Sequence, residues 1–439
     1  MALNRREFLG VMAATGFASQ AKASTAETDS WIFTEQQKTG YSIMQGMTDE
    51  TSAQFSLLLP KSVNWKFDVV RKDGVKIQIQ QSSDVASRPY SRYAAYRLIV
   101  EGLELGVPYV LQVQDAGGRV LDQRDFGALD LSKSSVRIGF LSCILDLFHR
   151  DDIWNQLAAQ NPEVLMFLGD NVYADRTSWL SKNPADEKQL WERYVLTRNR
   201  VAFYFQRKLI PVIATWDDHD FGTDNGDHTY FCKNESRQVF ETFFPQSARP
   251  SLAVGPGIAR KFSAFGADFF FMDGRTFRGE NNRMFGEEQE RWFFDNIGPN
   301  PTMILNGSQF FGAYTGAESF EGSFAADFAP FLRKLKETEG LFSFASGDVH
   351  FSEVMDIESD VLGYQTVEIV SSSIHSYTFP GHEYRFTNPR RRITTGSHNF
   401  MIFDAQFFPQ EISGRLTSYS AAGEEFRTGI SVYKERARS

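Results

Sequence analysis

Val164-Leu165-Met166-Phe167-Leu168-Gly169-Asp170 is an unbroken apolar run that ends in a glycine and a carboxylate. A run of that length bounded by turn residues reads as a strand buried on both faces, and such strands belong to parallel sheets covered by helices. The pattern recurs along the chain. Pro211-Val212-Ile213-Ala214-Thr215-Trp216 leads into Asp217, and Leu341-Phe342-Ser343-Phe344-Ala345-Ser346 leads into Gly347-Asp348. In open α/β sheets, binding sites gather at the carboxyl ends of the strands. Carboxylates carried there from widely separated segments are what a metal centre requires.

Further apolar runs at 136–141, 267–272, 302–305 and 366–370 alternate with helical segments at 152–160, 187–204, 235–244 and 287–296. That rhythm predicts an α/β domain over residues 131–439, built on a mixed sheet or two facing sheets. Upstream the text differs. Residues 54–59, 65–70, 93–100 and 109–113 read as short strands separated by turn signals, with Gly117-Gly118 marking a hairpin. Residues 31–130 are therefore expected to form an antiparallel β-sandwich of the immunoglobulin or fibronectin type. The boundary falls near residues 130–134, and two domains suit a chain of 439 residues.

Residues 1–23 are set apart. Arg5-Arg6 precede an apolar segment from Phe8 to about Ala18 and a small-residue Ala21-Lys22-Ala23 site, the layout of a cleavable export signal. Asn4-Arg5-Arg6-Glu7-Phe8-Leu9 resembles the twin-arginine signal, which hands folded proteins to the twin-arginine export machinery. The expected location is periplasmic or secreted, and no later segment is apolar enough for a membrane span. A net charge of −9 argues against a nucleic-acid scaffold role. An oxidising destination makes Cys143 and Cys232 candidates for one disulfide. Cys143 also follows an apolar strand in the place of a ligand, and a thiolate ligand is favoured there over an inert buried thiol.

Gly169-Asp170-Asn171-Val172-Tyr173-Ala174-Asp175 offers a carboxylate and a phenol to one cation, and phenolate oxygen suits a ferric ion. In Trp216-Asp217-Asp218-His219-Asp220 the carboxylates repel one another unless cations or donors compensate them. Gly347-Asp348-Val349-His350 places an Asp and a His on one side of an extended segment. Together these clusters suit phosphoester hydrolysis, in which paired cations stabilise an in-line displacement and a histidine assists the leaving group.

These motifs, together with Leu141-Ser142-Cys143, Met272-Asp273-Gly274-Arg275-Thr276-Phe277-Arg278 and Gly307-Ser308-Gln309-Phe310, occur in an order that resembles the alkaline phosphatase D family of the calcineurin-like metallophosphoesterase superfamily. The resemblance implies an α/β/β/α sandwich as catalytic domain and an exported phosphomonoesterase or phosphodiesterase containing Fe(3+) and Ca(2+), with Zn or Mn as alternatives. It implies that Cys143, Asp170, Tyr173 and His350 surround the iron, with Asp170 bridging and Asp218 and Asp348 on the calcium side. His219 takes the transition-state role, beside a hydroxide held by the dinuclear centre. Choosing Asp218 over Asp217 rests on that alignment alone. Asp220 stands where the superfamily often has glutamate, and the C-terminus shows no long amphipathic helix to serve as a lid.

Arg275 and Arg278 are candidates for contacting substrate phosphate and equally for salt-bridged scaffold. His375 and His382 have no motif behind them and are left out of the ligand set. The rival functions are a phosphodiesterase of the phospholipase D type, acting on lipid headgroups, nucleotides or wall polymers, and a non-catalytic surface binding protein that keeps its metals for structure.

Overall fold

The computed structural model describes residues 40–77, 79–80, 85–148, 150–177, 183–312, 318–378 and 381–434. The export signal read at residues 1–23 lies outside them. Two antiparallel sheets come first. One orders Ser42–Thr48, Ser52–Pro60, Tyr93–Glu101 and Ile79–Gln80, with Val85–Ser87 also paired to Tyr93–Glu101; the other orders Lys76–Ile77, Lys66–Arg71, Tyr109–Gln114 and Val120–Phe126. Phe55, Leu57 and Leu59 alternate along their strand and meet Val69, Leu111 and Val113 of the facing sheet. Leu58 and Met44 point the other way, into a core shared with the helices that follow. Nearly every residue of Ser42–Thr48 and Ser52–Pro60 is buried, so Ser52, Gln54 and Ser56 are polar residues on an enclosed face.

Residues 127–134 form neither strand nor helix, and the boundary read from the sequence at 130–134 falls among them. Beyond them lie two larger sheets. The first orders Val212–Thr215, Val164–Leu168, Ser135–Leu141, Phe400–Phe408, Glu411–Ser420 and Gly423–Tyr433; its first three strands are parallel and the rest antiparallel. The second orders Leu252–Val254, Arg260–Ala264, Ala267–Phe271, Thr302–Leu305, Phe342–Ser346, Thr366–Val370, Ser352–Ile357 and Arg391–Thr395, with a parallel centre. Val164, Met166 and Leu168 face Phe271, Leu305 and Ala345 across the space between the sheets. Leu165 and Phe167 instead pack on Trp154, Leu157, Trp191 and Phe243 of the outer helices Asp151–Ala159, Glu187–Arg200 and Lys233–Phe243. Phe270 meets Trp292 and Phe293 of the helix Gly286–Asp295 on the far side. Helices cover both outer faces, which gives the α/β/β/α arrangement.

The helix read at 187–204 ends at Arg200, because Val201 takes an extended conformation before a short 3-10 turn at Ala202–Phe205. The C-terminus completes the first sheet: Gly423–Tyr433 pairs with Glu411–Ser420 as its edge strand. Among the described residues no helix is long and apolar enough to cross a membrane.

Arg198 fastens the N-terminal sheets to this body. Its guanidinium is fully buried and donates to Ser42 Oγ at 2.9 Å, Ser56 Oγ at 3.1 Å, Ser56 O at 2.8 Å and Phe243 O at 3.1 Å, while lying 4.5 Å over the Tyr204 ring. Burial lowers its pKa to about 10. Arg198→Met keeps much of the volume but strands several buried acceptors, so unfolding free energy should fall by about 3 kcal/mol. Urea denaturation checks this; a loss below about 1 kcal/mol would remove the role given to Arg198.

Candidate metal centre and active site

Strand register delivers the ligands. Leu141 pairs with Phe167, Leu168 with Thr215, and Ser346 with Val370 at the ends of their ladders. Cys143, Asp170, Asp217 and Asp348 each stand two residues past such an end. There the chain bends back over the sheet edges: Cys143, Asp170, Asp348 and His350 have φ of 61°, 53°, 69° and 60°. Left-handed backbone at non-glycine residues is unfavourable and tends to cluster at functional sites. Gly169, also at positive φ, makes room for protein rather than for metal, since a Cβ there would lie 2.7 Å from the Asp217 Cβ and 3.1 Å from the Gly307 Cα.

Two donor groups result. In the first, the ligand atoms of Cys143, Asp170 and His350 lie within 4.8 Å of one another. The Cys143 sulfur is 3.7 Å from Asp170 Oδ2 and 3.3 Å from both Ser142 Oγ and Ser372 Oγ. The His350 Nδ1–H reaches the Tyr377 carbonyl at 2.7 Å, which turns Nε2 toward the group. Tyr173 is buried against Leu145 and Leu147 and accepts a hydrogen bond from Ser376 Oγ at 2.9 Å. In the second group Asp217, Asp218 and Asp348 converge within the same limit, and a further trio of Asp170, Asp218 and His219 connects the two.

Asp218 thus stands in two of these trios and Asp217 in one. Asp217 is otherwise engaged: it accepts from Arg275 Nε at 2.5 Å and Ser308 Oγ at 3.2 Å. Asp218 accepts from the backbone N–H of His219 at 3.0 Å and of Asn225 at 2.6 Å. Asp220 is a strut, taking N–H bonds from Val172 at 2.9 Å and Asp217 at 3.1 Å, with its pKa raised by burial to about 8.

The donor set fits cations. Burial raises the Asp170 pKa well above its ordinary value, and the charges of Asp218, Cys143, Asp217 and Asp220 add to the shift. Burial likewise pushes the Cys143 thiol up to about 12 and Tyr173 well above the usual phenol value. A thiol, a phenol and several carboxyls packed this closely ionise together only when positive charge is bound among them, and a neutral imidazole adds one more donor.

His219 lies at the edge of the cluster, stacked on Tyr173 with ring centroids 4.0 Å apart. Its Nδ1 is 2.7 Å from Asp175 Oδ1. Burial works to lower the imidazole pKa, yet Asp175 and then Asp218 outweigh it and hold the ring above its ordinary value. Asp175, the last residue of its sequence motif, joins His219 because the loop after Asp170 folds back, with the Ala174 N–H donating to the His219 carbonyl at 3.0 Å.

Both arginines make the salt bridges of the scaffold alternative. Arg275 is fully buried, with its guanidinium on Asp217, on Ser308 Oγ at 3.0 Å and on Glu318 at 2.6 Å. Arg278 pairs with the same Glu318 at 3.0 Å and lies over Phe324. Of the two alternatives for these side chains, the salt-bridged scaffold matches these contacts. His375 is structural: Trp154 Nε1 donates to its Nδ1 at 2.8 Å, its Nε2–H reaches Phe148 O at 2.8 Å, and burial lowers its pKa to about 4. The His382 side chain lies outside the described residues. Cys143 and Cys232 are both buried free thiols, so the disulfide reading fails.

The sequence profile of the PhoD-like phosphatase family matches residues 148–411. No curated protein matches the chain by sequence. Among solved structures, one of PhoD superposes with a TM-score of 0.68 at 15% identity, covering 90% of this chain and 92% of that one, which is a likeness of fold. A predicted phosphoesterase from Streptococcus pneumoniae covers 68% of this chain and 99% of its own at 9% identity, but its TM-score of 0.26 supports no argument. A family profile spanning more than half of the sequence decides the matter: the chain belongs to the PhoD-like phosphatases and is a metal-dependent phosphoesterase.

Proposed function

We propose that this phosphoesterase releases phosphate from phosphomonoesters, and secondarily cleaves diesters, at a dinuclear centre. The observation that carries the reading is the junction of the two donor groups through Asp170 and Asp218, with His219 at their edge. Cys143, Asp170, Tyr173 and His350 would hold iron, and Asp170, Asp218 and Asp348 calcium; zinc and manganese are the alternatives. Bound there, the ions would supply Lewis acidity toward the phosphoryl oxygens and acidify water for attack.

The remaining chemistry belongs to the chain. In-line attack by water breaks the bond between phosphorus and the ester oxygen, and the departing alkoxide needs a proton. Asp175 takes the Nδ1–H of His219 and so leaves Nε2 to deliver that proton. Trp216 and Phe221, packed edge to face, and Asp220 beneath them keep the short helix Asp218–Phe221 in place. Enzyme purified with iron and calcium should hydrolyse p-nitrophenyl phosphate faster than bis-p-nitrophenyl phosphate. Activity on the diester alone would favour the lipid-headgroup, nucleotide or wall-polymer alternative.

Export by the twin-arginine route is part of the proposal, motivated by Arg5-Arg6 and by a metal site best filled before translocation. Arg5→Lys with Arg6→Lys should retain active enzyme in the cytoplasm on fractionation. Normal export of that variant would count against the route.

A further inference from the structure

Arg176 is a buried cation that no anion pairs among the described residues. It follows Asp175, and its backbone N–H donates to the Tyr173 carbonyl at 3.2 Å. The residue is 7% exposed, its Nε is buried with no hydrogen-bond partner, and its guanidinium forms no ion pair among the described residues. Other buried arginines have their oxygens: Arg124 has Asp122, Arg193 has Asp146, Arg260 has Glu241, and Arg275 and Arg278 share Glu318. Cutting the Nε–H of a guanidinium off from water with nothing to replace its lost hydrogen bond is costly unless a ligand supplies one.

The position says which ligand. The Arg176 charge acts on His219 and on Tyr377. His219 marks one edge of the donor cluster; Tyr377 marks the other, where its carbonyl holds His350 and its ring centroid lies 6.2 Å from the imidazole. Arg176 directly follows the Asp175 that holds His219 and is tied by its N–H to Tyr173, whose ring stacks on His219, so it stands beside the space in which the phosphoryl group would react. A guanidinium offers a rigid fork of donors matched to phosphate oxygens. A monoester dianion has three terminal oxygens and a diester monoanion two, the third position being taken by the second ester group.

We propose that Arg176 binds the additional terminal oxygen of phosphomonoesters and sets this enzyme's preference for them over diesters. The inference rests on the site reading above and adds the substrate class. The test is steady-state kinetics of the metal-loaded wild type, Arg176→Met and Arg176→Lys on p-nitrophenyl phosphate and bis-p-nitrophenyl phosphate, with inhibition by inorganic phosphate. Losing a hydrogen bond to a charged partner should cut kcat/KM for the monoester roughly 30-fold in Arg176→Met and raise the phosphate inhibition constant similarly, against about threefold for the diester. Arg176→Lys, keeping the charge without the fork, should fall between. Equal losses on both substrates, no loss on either, or a loss of bound metal in both variants would overturn the proposal. A wild type inactive on both esters would bring down the underlying reading together with this inference. That result differs plainly from an active enzyme indifferent to Arg176.

Discussion

His219→Ala should keep its metals and lose about a thousandfold in kcat on an alkyl phosphate, because delivery of a proton to a poor leaving group is worth roughly two to four orders of magnitude. The loss should shrink to about tenfold on p-nitrophenyl phosphate, whose phenolate leaves with little need of that proton. The split between substrates is the diagnostic part. A side chain that merely packs against Tyr173, as His219 does with centroids 4.0 Å apart, would on removal damage both substrates alike. Asp175→Asn should show the same leaving-group dependence in weaker form, since the amide still accepts from Nδ1 at the observed 2.7 Å separation but no longer supports the charged ring. Equal losses on the two substrates would discard the proton-transfer role.

Asp170→Asn has the other large effect, and it acts on affinity and stability in opposite directions. Asp170 belongs to both the Cys143 and the Asp218 trios, so its loss should strip metal and reduce turnover by at least about a thousandfold. The metal-free protein should nevertheless become more stable at neutral pH. Burial and then the neighbouring acids raise the Asp170 pKa above its unfolded value of 3.8. A carboxyl raised in this way contributes stability that is fully present below 3.8 and is lost as pH climbs through its folded value. Metal-free wild type should therefore melt at a lower temperature near pH 8 than near pH 5, and Asp170→Asn should flatten that slope. Thermal melts after chelation, at several pH values, check it. An unchanged slope would mean that Asp170 is not where the repulsion is concentrated.

The parallel strands were legible because Val164–Leu168, Val212–Thr215 and Phe342–Ser346 are short, apolar and closed by Asp or Gly-Asp, and burial on both faces requires that composition. The helix Ala325–Glu337 was not read, since Pro330 inside it disguises the helical pattern. Glu411–Ser420 and Gly423–Tyr433 are hidden for a different reason: five of ten residues are buried in the first and three of eleven in the second, so both read as polar text until their partners are known. In the site, the residues at strand ends could be picked from local sequence. The partners of Asp175 and of Arg275 could not, because His219 and Glu318 reach them only through loops folded from distant segments. Arg176 is equally silent in the sequence; what sets it apart is a buried Nε with no partner among the described residues, which only the packed structure displays.

The most direct test of a metal centre built on Cys143, Asp170, Tyr173, Asp218, Asp348 and His350 is elemental analysis joined to a visible absorption spectrum of the active protein as purified. Iron and calcium in stoichiometric amounts, with a charge-transfer band that Tyr173→Phe and Cys143→Ser each alter, is the result this account predicts. Zinc or manganese in a colourless enzyme would move the centre to the alternative metals and remove the iron assignment. Full turnover in protein free of any metal would contradict the account at its root.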